Sequence, residues 1–269
     1  MSLAAGLAAT AGFTAAAMLA LWLVSLRLRN ASIVDVYWGP GFAAIAALSF
    51  ALAEAPGPRA ALLLAMASLW GLRLGAFLAW RSRGRGEDLR YAAMRRRHGE
   101  RFGRVSLYTV FALQAALMWV ISLPLQLAAL RPGAAPLGAL DALGVALAAT
   151  GLFFEAVGDW QLARFKADPQ NRGRVMDRGL WRYTRHPNYF GDSLVWWGLF
   201  AVAASTPAGP WTVASPALLT FLLLRVSGVP LLERSLARTR LGYRDYVERT
   251  SAFLPLPPRR ATSREPAEP

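Results

Sequence analysis

The chain is dominated by apolar runs of about twenty residues, the length a helix needs to cross the hydrocarbon core of a bilayer. They occupy about residues 3–26, 31–53, 59–80, 107–130, 137–157, 189–204 and 211–232. The fifth continues as a polar helix from Gly158 to Phe165, and the sixth is the shortest. Runs of this kind predict an all-α fold: an integral membrane bundle of seven transmembrane helices, one domain over residues 1–258. The remainder, 259–269, is short of apolar side chains and reads as a disordered tail. No arginine or lysine precedes the first run, so it lacks the charged start of a signal peptide and reads as a retained span.

Charge supports this organisation. The 269 residues are 55% hydrophobic yet carry a net charge of +14, which is consistent if the charges are confined to the connections between spans. With seven spans, Arg27, Arg29, the basic loop from Arg81 to Arg104, the 164–187 stretch and the C-terminal tail share one side. Arg59 and Arg131 fall on the other. Basic residues collect on the cytoplasmic side, so the N-terminus is expected outside and the C-terminus in the cytoplasm. A basic nucleic-acid-binding domain would not consist mainly of long apolar runs. Cysteine is absent, and His98 and His186 are the only histidines. No disulfide is possible and no metal-ligand spacing is visible.

The most information-dense stretch runs from Arg178 to Asp192. Pro187 suits a first helical turn, and the residue before it is pushed out of the helical region. A helix should therefore start near Pro187, with Arg182, Arg185 and His186 on a loop at the positive end of its dipole, a setting suited to phosphate. Arginines that merely orient a span would not need Tyr183, His186, Asn188 and Asp192 among them. Asn188, Asp192 and Trp196 share one helix face, as do Glu155 and Asp159 at the end of the fifth run. Those two carboxylates suit ribose hydroxyls or an amide, with Lys166 nearby. Arg225 and Glu233 bracket the end of the last span and read as a structural pair.

Asp35 stands at the mouth of the second span, followed by Tyr37 and Trp38. A carboxylate there is expensive unless it faces a cavity or a partner; Tyr37 is an alternative proton donor. An interfacial anchor is the competing reading. Arg73, inside the third span, either snorkels or contacts phosphate, and Trp70 one turn earlier reads as packing or cavity wall. The loop from Gly84 through Arg85, Glu87, Asp88 and Arg90 to Tyr91 mixes charge signs and glycines beyond what topology requires.

These motifs resemble the bacterial members of the steroid 5-alpha-reductase family. The resemblance rests on Glu155-Ala-Val-Gly-Asp159, on Gly179 to Tyr183 and Asn188 to Asp192, on Trp196, and on the ending from Tyr246 to Pro255. The Asp35-Val-Tyr-Trp-Gly-Pro block and the Gly-Glu-Asp-Leu-Arg-Tyr91 loop add to it. It implies a seven-helix membrane enzyme that reduces the carbon–carbon double bond of an enone with NADPH. By position, Asp159, Arg174, Asn188 and Trp196 match residues lining the family's NADPH site. Lys166 stands where the steroid enzymes have arginine, Glu155 where they have asparagine. Arg73 matches a cofactor-contacting arginine, and Arg85 another across a one-residue shift. Tyr91, Tyr183, Arg185, His186, Asp192 and Tyr246 complete the implied cofactor set. The family's catalytic Gln-Glu pair falls near Tyr37 and Trp38, and its active-site tyrosine near Trp70. The expected donor is therefore Asp35 or Tyr37, with Trp38 and Trp70 lining the substrate.

The expected partners are a lipid-like small molecule and membrane lipid, with no nucleic acid and no obligatory protein. The expected location is a bacterial inner membrane, with the cofactor site on the cytoplasmic side. The competing class is an integral-membrane methyltransferase of the isoprenylcysteine or phospholipid type. It would use Arg185-His186-Pro187, Glu233 and Tyr246 to bind S-adenosylmethionine, which lacks phosphates and needs fewer cations.

Overall fold

A computed structural model describes residues 2–133, 135–226, 228, 229, 233, 236, 237 and 239–259. The tail expected beyond Arg259 lies outside these residues. Helices account for the fold, and the β pairing among the described residues is one isolated bridge, Thr184 with Ser251. Six described helices are long and apolar enough to cross a membrane: Leu3–Leu28, Ile33–Leu52, Pro58–Ser82, Leu89–Ile121, Ala139–Ala167 and Gly209–Val226. This is the build of an integral membrane protein.

Residues 81–130 differ from the sequence expectation in two ways. The basic stretch expected as a loop is largely helical: α4 covers Leu89–His98 and α5 Phe102–Ser106. Asp88 caps α4 by accepting a bond from the backbone N–H of Arg90, which satisfies an otherwise orphaned donor. The expected fourth span, about 107–130, is broken. After a π-helical stretch, α6 runs Leu113–Ile121, and α7, Leu123–Leu130, starts anew beyond Ser122. Pro124 sits in the first turn of α7, where its missing N–H costs nothing.

The chain forms two compact units, Met1–Val145 with Gly198–Pro216, and Ala146–Trp197 with Ala217–Pro269. In the first, α1 (Leu3–Leu28) and the hairpin of α2 (Ile33–Leu52) and α3 (Pro58–Ser82) provide the frame. Gly39 and Gly71 meet backbone to backbone, and Gly75 lies against Pro40 and the carbonyl of Val36. Small residues allow this approach, the usual device where apolar surface alone cannot drive helix association. A buried ion pair locks the other end: Arg59 Nε donates to Asp141 Oδ1 at 2.8 Å, and its remaining nitrogens serve the carbonyls of Ala135 and Pro136. Arg59, expected as a simple loop charge, is thus an internal fastener.

In the second unit, α8 (Ala139–Ala167) and α9 (Pro187–Ala204) pack with equal intimacy. Gly151 touches the carbonyl of Gly191 and Val195, while Gly158 lies beneath Pro187. A side chain at Gly151 or Gly191 would collide with the facing backbone. The helix starts at Pro187, and its first turns carry Asn188 and Asp192. That polarity keeps α9 out of the six most apolar helices.

Candidate functional site

Each unit holds, among its described residues, a polar cluster built on candidate site residues. In the second unit the cluster grows from the α8–α9 seam. Glycine contact brings the helix axes so close that Glu155 lies alongside Gly191, its backbone N–H and Cγ facing that glycine. One turn further, Asn188 Nδ2 donates to Asp159 Oδ1 at 3.4 Å. Glu155 and Asp159 are both buried. Trp196 is fully buried further along α9, with Asp192 half-buried between. Around the 168–182 connection, Arg172, Arg174, Arg178 and Arg182 are exposed, as is Lys166 at the end of α8.

The loop leading into α9 is gripped from the C-terminal side. Arg185 N–H donates to the carbonyl of Ser251, Leu256 N–H to that of Tyr183, and Thr184 Oγ1 to that of Phe253. Helix α10 (Tyr243–Arg249) buries Tyr246, whose hydroxyl donates to the Trp181 carbonyl at 2.5 Å. Trp181 Nε1 in turn donates to the Gly158 carbonyl of α8 at 3.0 Å. A strap of residues 243–257 therefore fixes the approach to the helix start.

Arg185, His186 and Tyr246, expected at the cofactor, sit inside this fastening. The Arg185 fork is engaged by Glu233 Oε1 at 2.7 Å and by the carbonyls of Val247 and Thr250. His186 Nε2 lies 3.2 Å from the same Glu233 oxygen, and its ring stacks on Tyr189. Burial pushes the Glu233 carboxyl up, but hydrogen bonds from His186 and Arg185 and the Arg185 charge outweigh that and hold it near 2. Glu233 pairs with Arg185 rather than with Arg225. Tyr183 remains exposed beside this network.

In the first unit, Asp35 accepts from Tyr91 Oη on Oδ1 and from Arg90 Nη2 on Oδ2, both at 2.7 Å. Gln114 Nε2 points at the same Tyr91 oxygen at 3.4 Å. The supports are all local. Arg90 also bonds Asp88, Asp88 N–H donates to Ser32 Oγ, and Glu87 accepts from Ala31 N–H and both arms of Arg95. Burial raises the Glu87 and Asp88 carboxyls, but those hydrogen bonds prevail and hold both below their ordinary values. Tyr37 does not join the cluster; its ring lies over Gly41 beside Met118. Trp38 and Trp70 meet through Phe42, with ring centroids 5.1 and 5.8 Å apart along the chain of three. Arg73 is half-buried in α3, and Arg85 is exposed in the turn before α4.

The sequence marked the loop that holds Arg90 and the ending that holds Ser251 and Phe253 without giving those residues individual roles, and it did not single out Gln114 or Phe42. Arg90 was hidden among its many neighbouring arginines. The strap partners act through backbone carbonyls, which leave no residue-type signature.

Helices of membrane-spanning length carrying buried carboxylate clusters define a polytopic membrane protein with polar interior sites. The chain belongs to the DUF1295 family, described as a protein of unknown function, whose model matches residues 21–250. It is similar to the uncharacterized protein C594.04c of Schizosaccharomyces pombe, 26% identical over 267 residues covering 87% of this chain and 75% of that protein. No solved structure matches.

Proposed function

We propose that this protein is a membrane-embedded reductase that uses NADPH to saturate the carbon–carbon double bond of an α,β-unsaturated ketone in a steroid-like or other lipid substrate. The observation that carries this reading is the pairing of Asp159 with Asn188 at the mouth of α9, beside buried Glu155. The donor set fits the cofactor. Carboxylates accept from ribose hydroxyls, an asparagine amide both donates and accepts, and the exposed arginines of 172–182 offer forks for phosphates. The resemblance to the steroid 5-alpha-reductases supports the same assignment.

NADPH, when bound, supplies the hydride. The protein must meet the negative charge that grows on the substrate carbonyl oxygen. Of the expected donors, Asp35 accepts two hydrogen bonds, so the transferable proton of its cluster resides on Tyr91. We assign Tyr91 as the acid, with Asp35 and Arg90 orienting it, and Trp38, Phe42 and Trp70 as apolar lining for the substrate. A seventh span is proposed for α9, whose polar first turns serve the site while Val195, Leu199 and Val202 are buried. With seven spans, the proposed orientation has the N-terminus outside and the C-terminus in the cytoplasm, in a bacterial inner membrane. The chain has no cysteine, so single cysteines at Ser2 and Leu241 should label from opposite sides of sealed vesicles; labelling from one side contradicts seven spans.

The enzyme activity is tested by following NADPH oxidation in membranes given steroid, polyprenyl and fatty enones. Tyr91→Phe should lower turnover of the accepted enone by about 100-fold or more, the usual contribution of a positioned acid. Unchanged turnover removes Tyr91 from the reaction, and no oxidation with any enone contradicts the reductase. One observation favours the methyltransferase as a second reading: two of its residues, His186 and Glu233, do converge at 3.2 Å. Methyl transfer from labelled S-adenosylmethionine to membrane lipid would establish that alternative.

A further inference from the structure

We propose that the outward face of the α4–α5 segment is a binding surface for anionic phospholipid headgroups. The basis is how charge is divided along residues 81–104. Two of its arginines are ion-paired: Arg90, itself half-exposed, with Asp35 and Asp88, and Arg95 with Glu87, its guanidinium also 4.4 Å over the Phe102 ring. Two of the segment's three carboxylates are taken up this way; the third, Glu100, is exposed. Five of the other seven arginines carry the proposal. Arg83, Arg96, Arg97, Arg101 and Arg104 are exposed, and no ion pair among the described residues involves them. The outward face is consequently almost entirely positive.

Large apolar side chains are also exposed along and just beyond this segment. Trp80 at the end of α3 is 56% exposed, Leu89 at the start of α4 is 81% exposed, and Tyr108 just past α5 is 70% exposed. Large apolar groups beside arginines are unfavourable in water and well placed at headgroup depth. Arginines that only set topology could sit anywhere on a flexible loop. Here Arg96, Arg97, Arg101 and Arg104 sit on short helices, Glu87 and Asp88 are engaged by Arg95 and Arg90, and the exposed aromatics Trp80 and Tyr108 stand just beyond the segment's two ends. The ligand chemistry is a phosphodiester of net negative charge, gripped by guanidinium forks. This inference does not depend on the reductase assignment.

The test uses the full chain in nanodiscs of phosphatidylcholine alone, of phosphatidylcholine with phosphatidylglycerol, and of phosphatidylcholine with inorganic phosphate in the buffer. Phosphatidylglycerol should raise the unfolding midpoint by several degrees, and added salt should erode the gain. Arg96→Gln/Arg97→Gln, a small change that leaves most topogenic charge in place, should weaken lipid retention in native mass spectrometry by tenfold or more, since each surface arginine is worth roughly fivefold. The fivefold variant adding Arg83→Gln, Arg101→Gln and Arg104→Gln should abolish the gain. An equal gain in the variants, or none in the wild type, overturns the proposal. A matching gain from inorganic phosphate identifies a simple anion site and overturns the lipid assignment.

Discussion

Glu233 shows how much one carboxylate can organise. It takes Arg185 and His186 at once, and those residues begin the turn that aims α9. Its folded-state pKa, near 2, lies below its ordinary value of 4.5. The stability it supplies is therefore complete above about pH 4.5 and lost as pH falls toward 2. Glu233→Gln should cost about 1–3 kcal/mol, the range for charge-assisted hydrogen bonds and a stranded partner. It should also flatten the stability profile over that acid range in denaturant melts. A variant that keeps the wild-type acid limb would show that another group is responsible. The contrast with Asp35 is instructive. Both carboxylates are doubly hydrogen-bonded, but only Asp35 receives a hydroxyl proton that could be passed on, from Tyr91. The sequence marked Asp35 because a carboxylate at a span's mouth is costly. It could not show that a tyrosine 56 positions later completes the pair.

Among the elements, the α8–α9 seam matters most for the site. Gly151 and Gly158 on one helix face Gly191 and Pro187 on the other, so the backbones touch, Glu155 is brought against Gly191 and Asp159 against Asn188. Gly191→Ala forces a Cβ into the carbonyl of Gly151. Overpacking of this kind costs about 1–3 kcal/mol, and here it should also separate Asp159 from Asn188. Thermal melts of the variant should fall, and its cofactor affinity should fall with them; a stable variant with unchanged affinity would disconnect the seam from the site. The seam was legible in principle. Glycines at 144, 151 and 158 recur every seventh residue, and those at 191 and 198 repeat the interval. The apolar runs drew attention to span length instead of to what lies along one face. The break at Ser122 was readable from Pro124. The helicity of α4 was not, because its arginines suggested a charged loop while favouring a helix by propensity.

At the level of the whole molecule, the apolar runs and the arginine bias carried the membrane assignment, since bilayer thickness and charge translocation act on composition alone. The site was legible only as residue types: carboxylates, an asparagine and arginines near a Pro-initiated helix. Which of these face a ligand and which fasten the strap depends on tertiary contacts, such as those that engage Arg185 and Tyr246. The carboxylate–amide pair of Asp159 and Asn188 is the feature on which the proposed binding of a phosphorylated dinucleotide rests. The decisive measurement is equilibrium binding of NADPH, NADH and S-adenosylmethionine to the detergent-purified chain by thermal shift, with Asp159→Ala and Asn188→Ala in parallel. A ligand that binds the folded state alone must raise the midpoint. NADPH should stabilise the wild type more than NADH, and both substitutions should erase the effect. Stabilisation by S-adenosylmethionine with none by NADPH would contradict the reductase and assign the site to methyl transfer.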